Sequence, residues 1–521
     1  MDFSLDKETD RLMEPLRSKL RAGIFSPHLL QLPAVQRRAV YQALLRECLS
    51  RGRRVLYLTP EISLSQDFLA DIERKMGGRT ALLHSRLSKA QRELQWRRIK
   101  GGEVDVVLGT RSALLSPLEE VGLIIVDEEQ EEAFYQRENP AYDTRWGARL
   151  RAQQESALLV LGSAWPSVET YFRAKKRGSW LGLESRPVIR QTTILDDRTF
   201  QSVIGSKILN RVRRRLDNRE AVVVFCNRRG YAAVLACSRC TYTPRCRRCD
   251  VAMSFHKKEG RLICHYCNAT AIPSVSCPRC GSKIVATRGP GIEVISEELH
   301  RNFPEHRVES FDKDGAGKRS ERDTILSRFQ MGEVDILVGT PLLAHRADLI
   351  PVSMVVIFNP EVFLGISDFQ AAQKTYQNMK RMIGFLRENR SSELIVQTSF
   401  PEHHSILQAA LGEYRDFYRQ ELQYRQVMNY PPFSCMAEVV FQEENLRTAA
   451  RRSREFISHL EKNEKSSSLE ILGPALAPLS RLRGKNRVQV FIKAGSRKEL
   501  DTVLRESWES SRGRRSLFIF E

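Results

Sequence analysis

Short runs of aliphatic and β-branched residues recur along the chain, separated by amphipathic stretches with the periodicity of helices. The clearest are 104–109, 123–126, 222–225, 334–339 and 354–358. Apolar runs of strand length alternating with helical segments predict parallel β-sheets covered by helices. The pattern occurs twice. GEVDVVLGT at residues 102–110 returns as GEVDILVGT at 332–340, each time after a basic helical stretch and before a second apolar strand. Two α/β lobes are therefore expected, the first over 27–205 and the second over 206–235 and 285–400, with a short segment, 1–26, in front. A helical connector over 401–433 should end at Tyr430-Pro431-Pro432-Phe433, because two prolines in succession cannot continue a helix. A small α/β domain over 434–521 completes the expected order.

The stretch left over, 236–284, is rich in cysteine instead of aliphatic residues. Eight of the 11 cysteines lie there as four C-x-x-C pairs: Cys237/Cys240, Cys246/Cys249, Cys264/Cys267 and Cys277/Cys280. Each pair offers two thiolates from one tight turn, and two pairs complete a tetrahedral four-sulfur site, so two structural zinc ions are expected. A disulfide framework would need an oxidising compartment, and the N-terminal residues show no apolar signal-peptide core. No run is long enough to cross a membrane, so no membrane partner is expected. Cys48, Cys226 and Cys435 stand alone and read as buried thiols. Lys and Arg number 83 against 63 Asp and Glu, a net charge of +20 with clusters at 211–215 and 481–487, which points to a polyanionic partner. The cysteine module itself carries Arg239, Arg245, Arg247, Arg248 and Arg279, with Tyr242 and Tyr266 nearby, the mixture of charge and stacking surface that single strands use.

Several motifs in a fixed order make the chain resemble one family. They are LTPEISLS (58–65), LLHSRLS (82–88), GTRSALLSP (109–117), GLIIVDEEQ (122–130), GSAWPS (162–167) and FCNRRGYA (225–232), followed by the eight-cysteine spacing and YPPF. This order resembles the primosomal replication-restart helicases, the PriA family of helicase superfamily 2, over nearly the whole chain. The resemblance implies two RecA-like lobes with the zinc module inserted in the second. It also implies nested metal sites, Cys237, Cys240, Cys277 and Cys280 on one zinc and Cys246, Cys249, Cys264 and Cys267 on the other. The family's 3′-end-binding and winged-helix domains are expected to be absent, since only residues 1–26 precede the first lobe.

ATP chemistry departs from the family pattern at several places. A phosphate loop needs glycines whose amides wrap the phosphates, a lysine, and a Ser/Thr hydroxyl on magnesium, and no G-x-x-x-x-G-K-[ST] occurs. Aligned with the family, Ala34 and Gln36 stand for glycines, Arg37 for the lysine and Arg38 for the threonine. Arginine at 37 is the one group expected still to attract a triphosphate. Asp127 and Glu128 keep the acidic pair that would hold magnesium, and read as a relic at the surface, with Gln130 where the family has histidine. In the second lobe Phe385 and Glu388 replace arginines that face the γ-phosphate, and Arg346-Ala347-Asp348 loses a loop glycine. These losses argue against ATP and magnesium as cofactors and leave no intact catalytic residue.

The expected function is a replication-restart protein that binds forked or single-stranded DNA and helps assemble the primosome without helicase or ATPase activity. Arg111, Arg228, Arg229, Arg247 and Arg248 are the candidate DNA contacts. Other primosome and replication-restart proteins, with a single-stranded-DNA-binding protein among them, are the candidate partners, and a bacterial, cytoplasmic, nucleoid-associated location is implied. Two other readings remain: an active ATP-dependent 3′-5′ helicase with an atypical nucleotide loop, and a helicase-shaped protein-interaction module that does not bind DNA.

Overall fold

The computed structural model describes residues 7–520 apart from 61–69, 71, 75–78, 137–140, 184–189, 197–202, 227–233, 238, 241, 257–259, 288–290, 312–318, 345–350, 388, 463–467 and 511–514. The first lobe is built on β1 (Ser26–Gln31), β2 (Arg54–Leu58), β3 (Thr80–Leu83), β4 (Val106–Gly109) and β5 (Val121–Asp127). A two-strand ribbon of β6 (Tyr135–Gln136) and β7 (Tyr142–Asp143) leads to β8 (Leu158–Ser163) and β9 (Trp180–Gly182). Seven of these strands form one parallel sheet in the order β3-β4-β2-β5-β8-β1-β9. All seven residues of β5 are buried, as a central parallel strand covered on both faces must be. Helix Lys7–Ala22 belongs to this lobe: Met13, Leu16 and Leu20 enter the core beneath helix Ala34–Ser50.

The second lobe takes β10 (Gln191–Asp196) and β11 (Val222–Phe225), then resumes after the cysteine module. That module holds β12 (Val234–Cys237), β13 (Ser254–His256), β14 (Arg261–Ile263), β15 (Thr270–Ala271) and β16 (Ile284–Thr287). The sheet is completed by β17 (Val308–Phe311), β18 (Ile336–Gly339), β19 (Met354–Phe358) and β20 (Glu393–Thr398), all parallel, in the order β10-β20-β19-β11-β18-β17. The two halves of the sequence repeat become β4 and β18. One boundary moves: an end at 205 would put β10 in the first lobe, but it pairs with β20 from Gln191↔Glu393 to Asp196↔Thr398. Its composition, QTTILD, is that of a half-buried edge strand, whose partner composition alone does not reveal.

Helices His404–Ala410 and Tyr414–Val427 form the connector. The tail domain is an antiparallel sheet of β21 (Cys435–Glu443), β22 (Glu470–Leu482), β23 (Lys485–Ala494) and β24 (Arg515–Phe520), in the order β22-β23-β21-β24. Alternation along β21 decides its packing. Ala437, Val439 and Phe441 face helices Leu446–Glu461 and Arg497–Ser510, while Met436 joins Phe491 and Leu472 on the opposite side. That opposite side does not face water. It packs with Cys246, Cys249, Val251, Cys264 and Tyr266 of the cysteine module, together with Phe369 and Tyr430, as one shared core.

Candidate nucleotide cleft and metal centres

An open cleft of ≈ 1470 Å³ separates the lobes, lined on one side by Leu32, Ala34, Gln36, Arg37, Arg38, Asp127 and Glu128. The first-lobe segment aligned with the phosphate loop therefore lines the cleft between the lobes. Its backbone leaves little loop: helix Ala34–Ser50 begins directly after Pro33, which caps nothing with its side chain. Arg37 is turned inward and only 1% exposed. Its Nε donates to Asp127 Oδ1 (2.9 Å), its Nη1 to the Leu32 carbonyl (2.7 Å), and its Nη2 to Glu128. The Tyr41 and Tyr57 hydroxyls donate to the two oxygens of the same Asp127 carboxylate, at 2.9 and 3.1 Å.

Arg37 thus supplies the cation that the acidic pair faces. Its charge is directed at protein carboxylates. The expectation of a surface relic is corrected, since Asp127 is 5% exposed and fully hydrogen-bonded. The arrangement is built in from several elements. A Cβ at position 162 would lie 1.6 Å from the Tyr41 hydroxyl, so Gly162 on β8 is what allows that hydroxyl to reach Asp127. Glu128 sits in the left-handed region at φ 53°, a conformation costly for a residue with a Cβ. Burial alone would raise its carboxyl, but the Arg37 and Arg381 guanidiniums and a hydrogen bond from Gln130 (2.6 Å) hold it below the usual range.

The opposite wall carries Lys380, Arg381, Gly384, Leu386 and Arg387. Phe385 is fully buried and packs edge-on against Phe225 at 5.4 Å, so this position presents no group to the cleft. Glu388 and the Arg346-Ala347-Asp348 stretch lie outside the described residues. Burial and the neighbouring Arg190 push the Lys380 ammonium down to about 8, while its Nζ donates to the Gly412 carbonyl.

A seam of polar contacts joins the two lobes. Arg381 pairs with Glu131, and Lys374 with Glu132. Deeper in, Glu169 Oε1 accepts from Gln370 Nε2 (2.8 Å) and from Arg425 Nη1 of the connector (2.9 Å). Gln373 Oε1 accepts from the Val168 amide, Gln377 Nε2 donates to the Trp165 carbonyl, and the Tyr414 hydroxyl donates to the Pro166 carbonyl. Glu129, next to the acidic pair, accepts from the Ser167 amide (2.6 Å) and the Thr170 hydroxyl (2.9 Å), tying the end of β5 to the segment that forms this seam. Sequence reasoning did not single out Glu129, Glu131, Tyr41, Tyr57, Arg381 or Arg425. The run of acids at 127–132 was the visible signal.

The eight cysteines gather into the two expected sets, Cys237, Cys240, Cys277 and Cys280, and Cys246, Cys249, Cys264 and Cys267, with the sulfurs of each set all within 4.8 Å of one another. Sulfur pairs at 3.4 to 3.5 Å, such as Cys237–Cys280, Cys240–Cys277 and Cys246–Cys267, are close to the separation that ~2.3 Å Zn–S bonds impose in a tetrahedron. Backbone amides of Arg239, Tyr266 and Arg279 point at the first sulfur of their own turns, at 3.3 to 3.4 Å, which favours thiolates. The residues therefore fit two structural zinc ions with every ligand position filled by protein. The sets differ in setting. Cys246, Cys249 and Cys264 belong to the core shared with the tail domain, where the Tyr430 hydroxyl donates to the Cys249 carbonyl (2.6 Å) and Gln489 Nε2 to the His265 carbonyl (2.7 Å). Among the described residues, Cys277 and Cys280 join no such core.

Comparison with known proteins follows the same layout. Residues 246–271 match the PriA DNA helicase Cys-rich region, 426–520 the primosomal protein N C-terminal domain, and 32–170 the DEAD/DEAH box helicase family. The replication restart protein PriA of Treponema pallidum is 30% identical over 480 residues, which cover 90% of this chain and 72% of that protein. This chain belongs to the PriA family. The Bacillus subtilis and Chlamydia pneumoniae PriA proteins are each 32% identical, and the chain spans 64% and 60% of their lengths. Among solved structures, RecG bound to a three-way DNA junction aligns over 82% of this chain and 51% of its own, at 13% identity and a TM-score of 0.42.

Within this PriA-family framework the candidate DNA contacts separate. Arg247 is exposed, as are Arg239 and Arg279 in neighbouring zinc turns. Arg248 donates to the Ile471 carbonyl (2.7 Å) across the junction with the tail domain. Arg111 donates to the Ala133 and Tyr135 carbonyls (3.2 and 3.4 Å), pinning the ribbon below β5. Arg228 and Arg229 lie outside the described residues. Tyr266, expected to help form a stacking surface, is 4% exposed and lies 4.1 Å from the Phe491 ring, so it is core. Part of the basic cluster at 211–215 is likewise engaged, Arg211 and Arg215 both pairing with Glu393. No helix among the described residues is long and apolar enough to cross a membrane.

Proposed function

We propose that this chain is a PriA-family replication-restart protein that binds DNA at forks or single-stranded regions and scaffolds primosome assembly, with no ATPase or helicase activity of its own. The observation that carries the reading is the buried Arg37 guanidinium bonded to both Asp127 and Glu128. Hydrolysis of a nucleoside triphosphate needs ordered magnesium, an in-line water and charge compensation on the transferring phosphoryl group. Here the acidic pair is neutralised internally, the helix starts without a glycine cradle, and Phe385 is buried away from the cleft. Polar contacts across the lobes oppose the opening and closing that would turn hydrolysis into movement. The net charge of +20 and the exposed zinc-module arginines support a nucleic-acid partner. Primosome and replication-restart proteins, and a single-stranded-DNA-binding protein, are the partners proposed from family membership.

The test combines a DNA-stimulated ATPase assay on zinc-replete protein with binding to forked, single-stranded and duplex DNA across a salt series. The expected result is salt-sensitive binding without DNA-stimulated turnover. Turnover of about 1 s⁻¹ or more, the low end for working phosphoryl-transfer enzymes, would instead establish an active motor with an unorthodox nucleotide loop. Absence of binding to any DNA would favour the protein-interaction reading.

A further inference from the structure

Residues 268–276 join the two zinc sites, since Cys267 belongs to one set and Cys277 to the other. A zinc ion bound by each cysteine set would hold both ends of this loop, and its first part is fixed by β15 pairing with β14. On this tethered segment Ile272 is 84% and Val275 82% exposed, with Pro273 between them. The charged residues along this stretch of sequence, from Gly260 onward, have a single sign. From Gly260 to Gly291 the chain carries Arg261, Arg279, Lys283 and Arg288 and no Asp or Glu. Strand register places Leu262 opposite Ala271, which sets the exposed Arg261 alongside Ile272, while Arg279 lies four residues beyond Val275 on the next zinc turn.

Exposed aliphatic side chains with exposed arginines to either side suit a polyanion that also offers an apolar face. A duplex interior hides its base faces, but the last base pair before two strands part leaves one uncovered between two lines of phosphate. Ile and Pro are among the side chains that wedge against base steps. We infer that residues 268–276 are a junction wedge, with Ile272 and Val275 packing on the exposed face of the last base pair where duplex opens into single strands, and Arg261 and Arg279 on the flanking phosphates. The inference rests on the DNA-binding reading and adds the part of DNA that is read.

The experiment uses the full zinc-loaded chain and the double variant Ile272→Ser/Val275→Ser. Both positions are exposed, so the variant should retain two zinc ions and the wild-type melting profile. The probes are a fork carrying 2-aminopurine in its last base pair, the matching single strand and a blunt duplex. Wild type should change the 2-aminopurine fluorescence and favour the fork. The variant should bind the single strand as before, lose the fluorescence response, and lose roughly tenfold in fork preference, as expected when two aliphatic side chains forgo burial. Ile272→Val/Val275→Ile should behave as wild type. A serine variant that keeps both the preference and the response overturns the wedge, as does one that weakens fork and single strand equally. Failure of the wild type to bind any of the three DNAs instead overturns the DNA-binding reading beneath it.

Discussion

Removing one partner of the Arg37–Asp127 pair should damage the first lobe far more than removing both. In Arg37→Met the Asp127 carboxylate keeps the Tyr41 and Tyr57 hydroxyls but loses its cation, and the Leu32 carbonyl loses its donor. In Asp127→Asn the buried guanidinium keeps only Glu128 and Leu32. Breaking a buried ion pair from one side costs about 3–5 kcal/mol, because an uncompensated charge is left out of water. For a unit the size of this lobe, at about 2–4 °C per kcal/mol, that is a fall of roughly 6–20 °C in its melting temperature. The double variant should recover part of the loss, with a coupling of about 1–3 kcal/mol, since neither charge is then stranded. Thermal unfolding by circular dichroism, with hydrogen exchange followed in β1 and β5, measures both quantities. Single-variant losses below about 1 kcal/mol, or additive effects in the double variant, would refute the claim that Arg37 is the built-in cation of the acidic pair. The same geometry bears on assay design: alanine at 127 would unpair Arg37, so any activity lost in that variant could reflect a loosened lobe.

Three further outcomes are expected. The purified chain should carry two zinc ions by elemental analysis, and Cys277→Ser and Cys264→Ser should each lose one. Only Cys264→Ser should also expose the tail domain to limited proteolysis, because its site shares a core with Met436, Leu472 and Phe491; equal protection in both variants would contradict the shared-core assignment. Arg247→Ala with Arg279→Ala should lower the salt dependence of single-strand binding by about 0.7 in log–log slope for each phosphate no longer neutralised, and an unchanged slope would place the DNA-binding surface elsewhere. Acid should weaken the network around the lobe seam. Glu128, partly buried, and Glu421, fully buried, are carboxyls that Arg37, Arg381 and Arg425 hold below the usual range, so their contribution is present above the unfolded value of about 4.3 and is lost as pH falls through the lower folded values. Stability should drop as pH is lowered below about 4, less so in an Arg425→Met/Glu421→Gln variant, and a flat profile in the wild type would remove these groups from the account.

Much of the architecture is legible along the chain because its causes are local. An aliphatic run of four or five residues has one way to be buried on both faces, so 123–126, 222–225 and 354–358 read directly as buried parallel strands. The C-x-x-C spacing dictates two thiolates per turn whatever surrounds it, and the eight ligands were readable for that reason. That residues 34, 36 and 37 are Ala, Gln and Arg, where a phosphate loop would call for glycines and a lysine, is equally a matter of residue type and is visible without coordinates.

Where each charged or aromatic side chain points depends on neighbours distant in sequence, and that only the tertiary structure decided. Arg37 could have faced a ligand; Asp127, 90 positions away, turns it inward, with Gly162 leaving room for the tyrosine that helps hold Asp127. Tyr266 could have been a stacking platform, but the far side of the tail sheet needed covering and made it core. The weakly apolar strand 191–196 could have closed either sheet, and the free edge beside β20 claimed it. Residue type and spacing determined the elements, the cysteine ligand sets and the departure from a phosphate-loop pattern at residues 34–38. Long-range packing determined which charges are neutralised and which remain exposed, because desolvation and pairing energies exist only once distant groups are brought together.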